Sequence, residues 1–154
     1  MIELAKVSAA IDAPVDAVFQ YVSNMENYQY WFPGIIHITS ANALAHGVVG
    51  KQYEETITLP SGKSSILIEV KQSDRNSLFL TQGDLAGIEP QMTVTFSENE
   101  QQQCLVDLRY HSREPVLAED SDTIIALKAD LGTRAKAGIT QLKSLMEQIT
   151  RSQS

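Results

Sequence analysis

Tyr53 and Glu55 are the sharpest pair of chemistry-bearing groups in this chain. Two positions apart on a strand, a phenol and a carboxylate project from the same face. There they can orient the polar end of a ligand or move a proton, because burial raises a carboxyl pKa and turns the group into a usable acid or base. A glutamate at the mouth of a sheet, or one whose parity is flipped by a bulge after Gly50, would do neither, and both alternatives stand on sequence alone. Tyr28, Tyr30, Trp31 and Phe32 form the densest aromatic cluster, and such rings either stack on a flat ligand or plug a core. His37, His46 and His111 fall in separate segments, without the i, i+4 spacing or cysteine partners of a zinc site, so no metal is expected. Cys104 is the single cysteine and reads as a small buried hydrophobe. A nucleophile there would need a nearby histidine, and His111 lies on the opposite face by parity. No G-x-S-x-G elbow, G-x-G-x-x-G turn or phosphate loop occurs, so no cofactor is expected.

The elements that must position these groups are mostly strands, followed by one long helix. Apolar residues at Ile124, Leu127, Leu131, Ala135, Ile139, Leu142, Leu145, Met146 and Ile149 recur three or four residues apart, which predicts an amphipathic helix from about Ser121 to Arg151. A first strand is expected over Leu4–Ile11, then a short helix from Pro14 to Val22 and a second over Met25–Trp31 that stops ahead of Pro33-Gly34. Six strands follow: Ile35–Asn42, Gln52–Leu59, Ser64–Gln72, Ser77–Gly83, Glu89–Ser97 and Gln102–Ser112. Turn residues separate them, at Gly47 and Gly50, Pro60-Ser61-Gly62, Asp74-Arg75-Asn76 and Glu98-Asn99-Glu100. Short links imply a mostly antiparallel meander, and the helical stripe must bury itself against that sheet.

Parity assigns the inward rows: Tyr53, Glu55, Ile57 and Leu59; Ile66, Ile68 and Val70; Met92, Val94 and Phe96; Cys104, Val106, Leu108 and Tyr110. Gly132 and Gly138, with Ala126, Ala129, Ala135 and Ala137, thin the middle of the long helix. Glycine in a helix costs about 1 kcal/mol relative to alanine, so either close packing on the sheet or room for a ligand must offset it.

A length of 154 residues suits one domain, with a core that needs no disulfide or metal staple. A formal charge of -7 argues against nucleic acid or an anionic membrane surface as the main partner. Lys128, Arg134, Lys136, Lys143 and Arg151 gather on the last helix, but Asp130 and Glu147 interrupt them, as on a solvated face. The start of the chain carries Glu3 and no basic segment leading into an apolar run, and no stretch approaches the about 18 apolar residues of a membrane span. A cytoplasmic protein is the expectation, with the oligomeric state left open.

The order of elements, together with "VSAAIDAPVDAVFQYVSNMENYQYWFPGI", the Gly47-x-x-Gly50 entry to a strand and the tail "AKAGITQLKSLMEQI", resembles the SRPBCC or START-like helix-grip superfamily. That superfamily contains START lipid-transfer domains, birch-pollen-allergen proteins and the polyketide cyclase/dehydrase family. The stretch from Val22 through Pro33 is also similar to its coenzyme-Q-binding branch. The resemblance implies an α+β helix-grip fold with a seven-stranded curved antiparallel sheet around the C-terminal helix. It also implies an apolar cavity between sheet and helix, with Trp31 at one end, and it carries no shared catalytic motif.

The residues expected around that cavity are Trp31, Phe32, Tyr53, Glu55, Ile57, Ile68, Met92, Val94, Phe96, Val106, Leu108, Tyr110, Leu131, Ala135 and Ile139. The leading functional expectation is binding or carriage of a small hydrophobic molecule such as a lipid, polyketide or quinone. The alternatives are a cyclase or dehydratase in which Tyr53 or Glu55 shuttles a proton, and an interaction module with a filled core.

Overall fold

The computed structural model describes residues 1–59, 61–114, 118 and 120–153. Strand β1 spans Ile2–Ile11, and the Asp12-Ala13-Pro14 stop hands over to helix α1, Val15–Ser23. Asn24 then accepts a hydrogen bond from the Glu26 amide at 3.0 Å and starts a short 3-10 turn, Met25–Asn27, that continues into helix α2, Tyr28–Trp31. The second helix expected from sequence is therefore two tighter pieces. Six more strands follow: β2 Ile35–Ser40, β3 Gln52–Leu59, β4 Gly62–Asp74, β5 Leu78–Asp84, β6 Pro90–Glu98 and β7 Cys104–Ser112. Of the predicted turn at Pro60-Ser61-Gly62, Pro60 lies outside the described residues. Strand β7 starts two residues later than the alternation suggests, because Asn99 accepts from the Gln101 and Gln103 amides and Gln102 takes a positive φ of 62°.

The strands form one antiparallel sheet in the order β1-β7-β6-β5-β4-β3-β2. This is the expected meander, with β1 added beside the last strand. Register shifts at Glu3/Ala5, Ile35/His37 and Val70/Gln72 mark bulges, which bend a sheet and deepen its twist. Inward residues of β3, β4, β6 and β7 are buried in alternation, as parity requires.

Helix α3, Asp122–Ser152, begins where Ser121 caps the Ile124 amide, at 3.3 Å. It lies chiefly against β1. Lys143 Nζ donates to the Ala10 carbonyl at 2.6 Å and pairs with Glu147 at 2.6 Å, while Glu147 accepts from the Asp12 amide at 2.9 Å. These bonds pin the C-terminal half of α3 to the end of β1. Beyond the reach of α3, the sheet is covered by α1 and α2, with Phe19 of α1 edge-on to Phe96 of β6 at 5.3 Å. Among the described residues, no helix is long and apolar enough to cross a membrane.

The small residues of α3 do not form one inward gap. Ala126, Ala129 and Ala137 are exposed, and a Cβ at Gly132 would meet nothing within 4 Å. Gly138 faces inward, where a Cβ would lie 3.1 Å from Phe32 and 3.3 Å from the Trp31 carbonyl. That glycine lets the Trp31–Pro33 segment approach the helix axis, so close packing explains it, against that segment rather than the sheet. The guanidinium of Arg134 fills the space over Gly34, whose Cβ would lie 2.1 Å from Nη1. Gly34 also holds a φ of +88°, a region that side chains disfavour. Gly132→Ala is expected to raise the unfolding free energy by about 1 kcal/mol, the full helix-propensity gain. Gly138→Val is expected to lower it by about 1–3 kcal/mol through overpacking. Urea titrations of both variants check this account, and equal responses would contradict it.

Candidate functional site

Between the sheet and the first half of α3 lies a hollow of about 80 Å³, several times the about 10–15 Å³ that one water needs. Its floor is Glu55 and Ile57 of β3, Ile68 of β4, and Thr81 and Gly83 of β5. Leu127 and Leu131 of α3 cover one side, and Met25, Tyr28 and Phe32 cover another. The walls are almost wholly apolar. Gly83 belongs here because a Cβ would come within 2.9 Å of Ile66 and 3.0 Å of Pro90.

Glu55 is the one carboxyl among the described residues that line the hollow. Its side chain points inward between Ile38 and Ile66 on the neighbouring strands, and only 3% of the residue is exposed. No described group hydrogen-bonds its carboxyl, and burial alone raises its pKa to about 8. Nearby, the hydroxyls of Tyr28 and Tyr110 meet at 2.5 Å, and Tyr110 donates to Met92 Sδ at 3.5 Å. One phenol donates to the other in this short bond. Both phenols are pushed far up, mainly by burial, and Glu55 contributes to each rise. Phe32 stacks on Tyr28 with centroids 4.9 Å apart and touches Tyr110 at 5.4 Å. This aromatic block holds the phenol pair in place.

The model of the family "Polyketide cyclase / dehydrase and lipid transport" matches residues 4–147. The chain belongs to that family. No curated protein matches this sequence. Among solved structures, the di-domain ARO/CYC StfQ from the steffimycin biosynthetic pathway aligns over 99% of this chain at 11% identity and a TM-score of 0.74, and this chain spans 53% of its length. A START superfamily protein from Mycobacterium smegmatis is 15% identical, with a TM-score of 0.70, 96% of this chain covered and 99% of the other. The Aha1 dimer from Colwellia psychrerythraea is 17% identical, with a TM-score of 0.64 and coverages of 96% and 97%. At these identities the likeness is one of fold, the helix-grip arrangement.

In this polyketide cyclase/dehydrase family member, the residues expected around a cavity divide between two regions. Phe32, Glu55, Ile57, Ile68, Met92, Tyr110 and Leu131 line the hollow. Trp31, Val94, Phe96, Val106, Leu108, Ala135 and Ile139 are buried but do not line it. Parity identifies the inward face but not which end of a strand is filled, and here α1 and the later turns of α3 fill one end. Trp31 is a core plug, edge-on to Tyr28 at 5.0 Å, with its Nε1 buried and unpartnered. Sequence reasoning overlooked Met25, Tyr28, Thr81 and Gly83 as lining residues. The i, i+3 step from Met25 to Tyr28, together with the inward parity of Thr81 and Gly83 beside Phe79, carried that information.

Tyr53 shares the inward row with Glu55 but serves another group. It is fully buried and does not line the hollow. Its hydroxyl meets His46 Nδ1 at 2.6 Å, and Lys51 Nζ lies 5.5 Å from its ring centroid. His46 Nε2 stands 3.7 Å from Glu26, which also accepts from the Ser40 amide and hydroxyl at 3.1 and 2.9 Å. This network fastens the 41–51 connection to the Met25–Asn27 turn. Cys104 is buried, and burial, with Glu98 adding, pushes its thiol up to about 11, which keeps it protonated. Among the described residues no cluster of three metal-ligating side chains occurs.

Glu55 has a consequence for stability against pH. Its folded pKa of about 8 exceeds the ordinary 4.5, so the folded state binds the proton more tightly. The resulting stability is complete below about pH 4.5 and is lost as pH rises through 8, at up to about 1.4 kcal/mol per pH unit. Glu55→Gln is therefore expected to match the parent near pH 4 and to be more stable by several kcal/mol at pH 9, as read from urea midpoints. A gap independent of pH would rule out a proton held at Glu55.

Proposed function

We propose that this chain binds a small hydrophobic molecule in the hollow between its sheet and the first half of α3. The observation that carries this reading is the hollow itself, lined by aliphatic and aromatic side chains around one buried carboxyl. An apolar void without contents forfeits dispersion contacts and destabilises the fold, so a guest that fills it is stabilised in return. Met25 and Met92 in the walls are unbranched and can re-pack around guests of different outline. Family membership supports the same reading, since the family description joins polyketide chemistry with lipid transport.

A second reading has its own support, in the carboxyl at Glu55. With a pKa near neutrality beside the Tyr28–Tyr110 pair, Glu55 is placed to exchange a proton with a guest, as a cyclase or dehydratase requires. StfQ, a di-domain ARO/CYC protein that shares the fold, supports the same reading. Tyr53, engaged with His46, is not part of this reading.

Native mass spectrometry of the purified chain should show a co-purified apolar molecule, or uptake of one from a fatty-acid and aromatic mixture. Ile68→Phe should block the hollow and lower uptake at least tenfold while the chain stays folded. Unchanged uptake in that variant would place the guest elsewhere. Where turnover of a guest is observed, Glu55→Gln should abolish it with affinity kept.

A further inference from the structure

Glu55 is more than a proton reservoir. Its carboxyl is nine-tenths or more buried, faces the hollow, and has no hydrogen-bond partner among the described residues. Its hydrogen-bonding capacity is therefore left to whatever occupies the hollow, and a buried polar group left unpaired costs about 1–3 kcal/mol. The flanking residues offer no relief. Ile38 and Ile66 sit on either side across the strands, and the hydroxyls of Tyr28 and Tyr110 bond to each other, with Tyr110 also on Met92 sulfur, and not to the carboxyl. What the carboxyl lacks, the guest can supply.

We infer that Glu55 is the recognition point for the polar end of the guest, and that it donates its carboxyl proton in a hydrogen bond to the carbonyl oxygen of an uncharged, otherwise apolar molecule. This rests on the hollow being the binding site and names the class of ligand it takes. The direction of the bond follows from the surroundings. A carboxylate or phosphate end would meet the negative ends of two phenols and a glutamate, with no cation on the wall. Arg134 of α3 influences Tyr28 but does not line the hollow: its Nε is engaged with Asp130 at 3.1 Å, and its Nη1, which has no hydrogen-bond partner among the described residues, packs over Gly34. An ammonium end would form an ion pair with ionised Glu55, whose desolvation in an apolar wall costs more than a neutral hydrogen bond. The titratable groups facing Glu55 are thus Tyr28 from α2 and Tyr110 from β7, both far too basic to ionise in the working range. The donor is therefore switched by Glu55 alone, present below about pH 8 and lost above it.

The test uses four one-ring probes with similar bodies and different ends: ethylbenzene, acetophenone, phenylethylamine and phenylacetate. Their affinities for the whole chain are measured by ligand-observed NMR at pH 6 and pH 9.5. Acetophenone is expected to bind about tenfold more tightly than ethylbenzene at pH 6, the worth of one buried hydrogen bond. That preference should vanish at pH 9.5, while ethylbenzene binds alike at both. Glu55→Gln keeps a donor and should retain the ketone preference at both pH values, whereas Glu55→Leu should lose it at both with ethylbenzene binding kept. Equal binding of acetophenone and ethylbenzene at pH 6, or a ketone preference insensitive to pH in the parent chain, overturns the inference and leaves the hydrophobic site standing. Tightest binding by phenylethylamine would replace the neutral bond by an ion pair and also overturn it. Failure of all four to bind removes the hydrophobic site itself, and the inference with it.

Discussion

A long amphipathic helix lying along an edge strand is the constraint on which the rest of this fold depends. Helix α3 must bury one stripe along most of its 31 residues, yet it lies chiefly against β1 at the end of the strand order. Only a sheet that bends back over the helix can close such an arrangement, and the bulges in β1, β2 and β4 provide that bending. Leu127 and Leu131 of α3 face β3, β4 and β5 across the space between helix and sheet. Part of that space is taken up by Met25, Tyr28 and Phe32 from the short helical segments, and the remainder is the hollow. The hollow lies beside the first half of α3, while the second half is moored by Lys143 and Glu147 at the end of β1.

The placement of Glu55 runs against the logic of the surrounding core. Apolar neighbours, two phenols already bonded to each other and an inward-pointing strand position make its ionised form costly near neutral pH. Natural proteins depart from internal consistency mostly where a site requires it. Tyr53, two residues earlier on the same strand, shows the contrast: equally buried, it finds a partner in His46 and contributes to structure. One strand carries both a satisfied and an unsatisfied polar group on the same face.

Most of this architecture was legible in the chain because its signals are periodic. The recurrence from Ile124 to Met146 specified α3 to within a residue, and Gln52–Leu59 matched its strand end to end. Glu55 fell on the buried face because alternation continued through β3 without a bulge. The location of the hollow along that face was not legible, since parity is blind to position along a strand. Val94 and Phe96 obey the same alternation as Met92, yet Phe96 packs against Phe19 of α1 while Met92 lines the hollow. Helix thinness misled for a similar reason. A run of small residues says nothing about its angular position, and Ala126, Ala129 and Ala137 turned outward.

The contact between Gly34 and Arg134 joins residues a hundred positions apart, one in the turn after α2 and the other midway along α3. Any side chain at 34 would displace the guanidinium, and a shorter residue at 134 would leave a gap above the turn. Gly34 is thus held twice over, by a backbone conformation that side chains disfavour and by the helix side chain lying across it. The turn after α2 is in this way clamped to the middle of α3 by a contact outside the greasy interior.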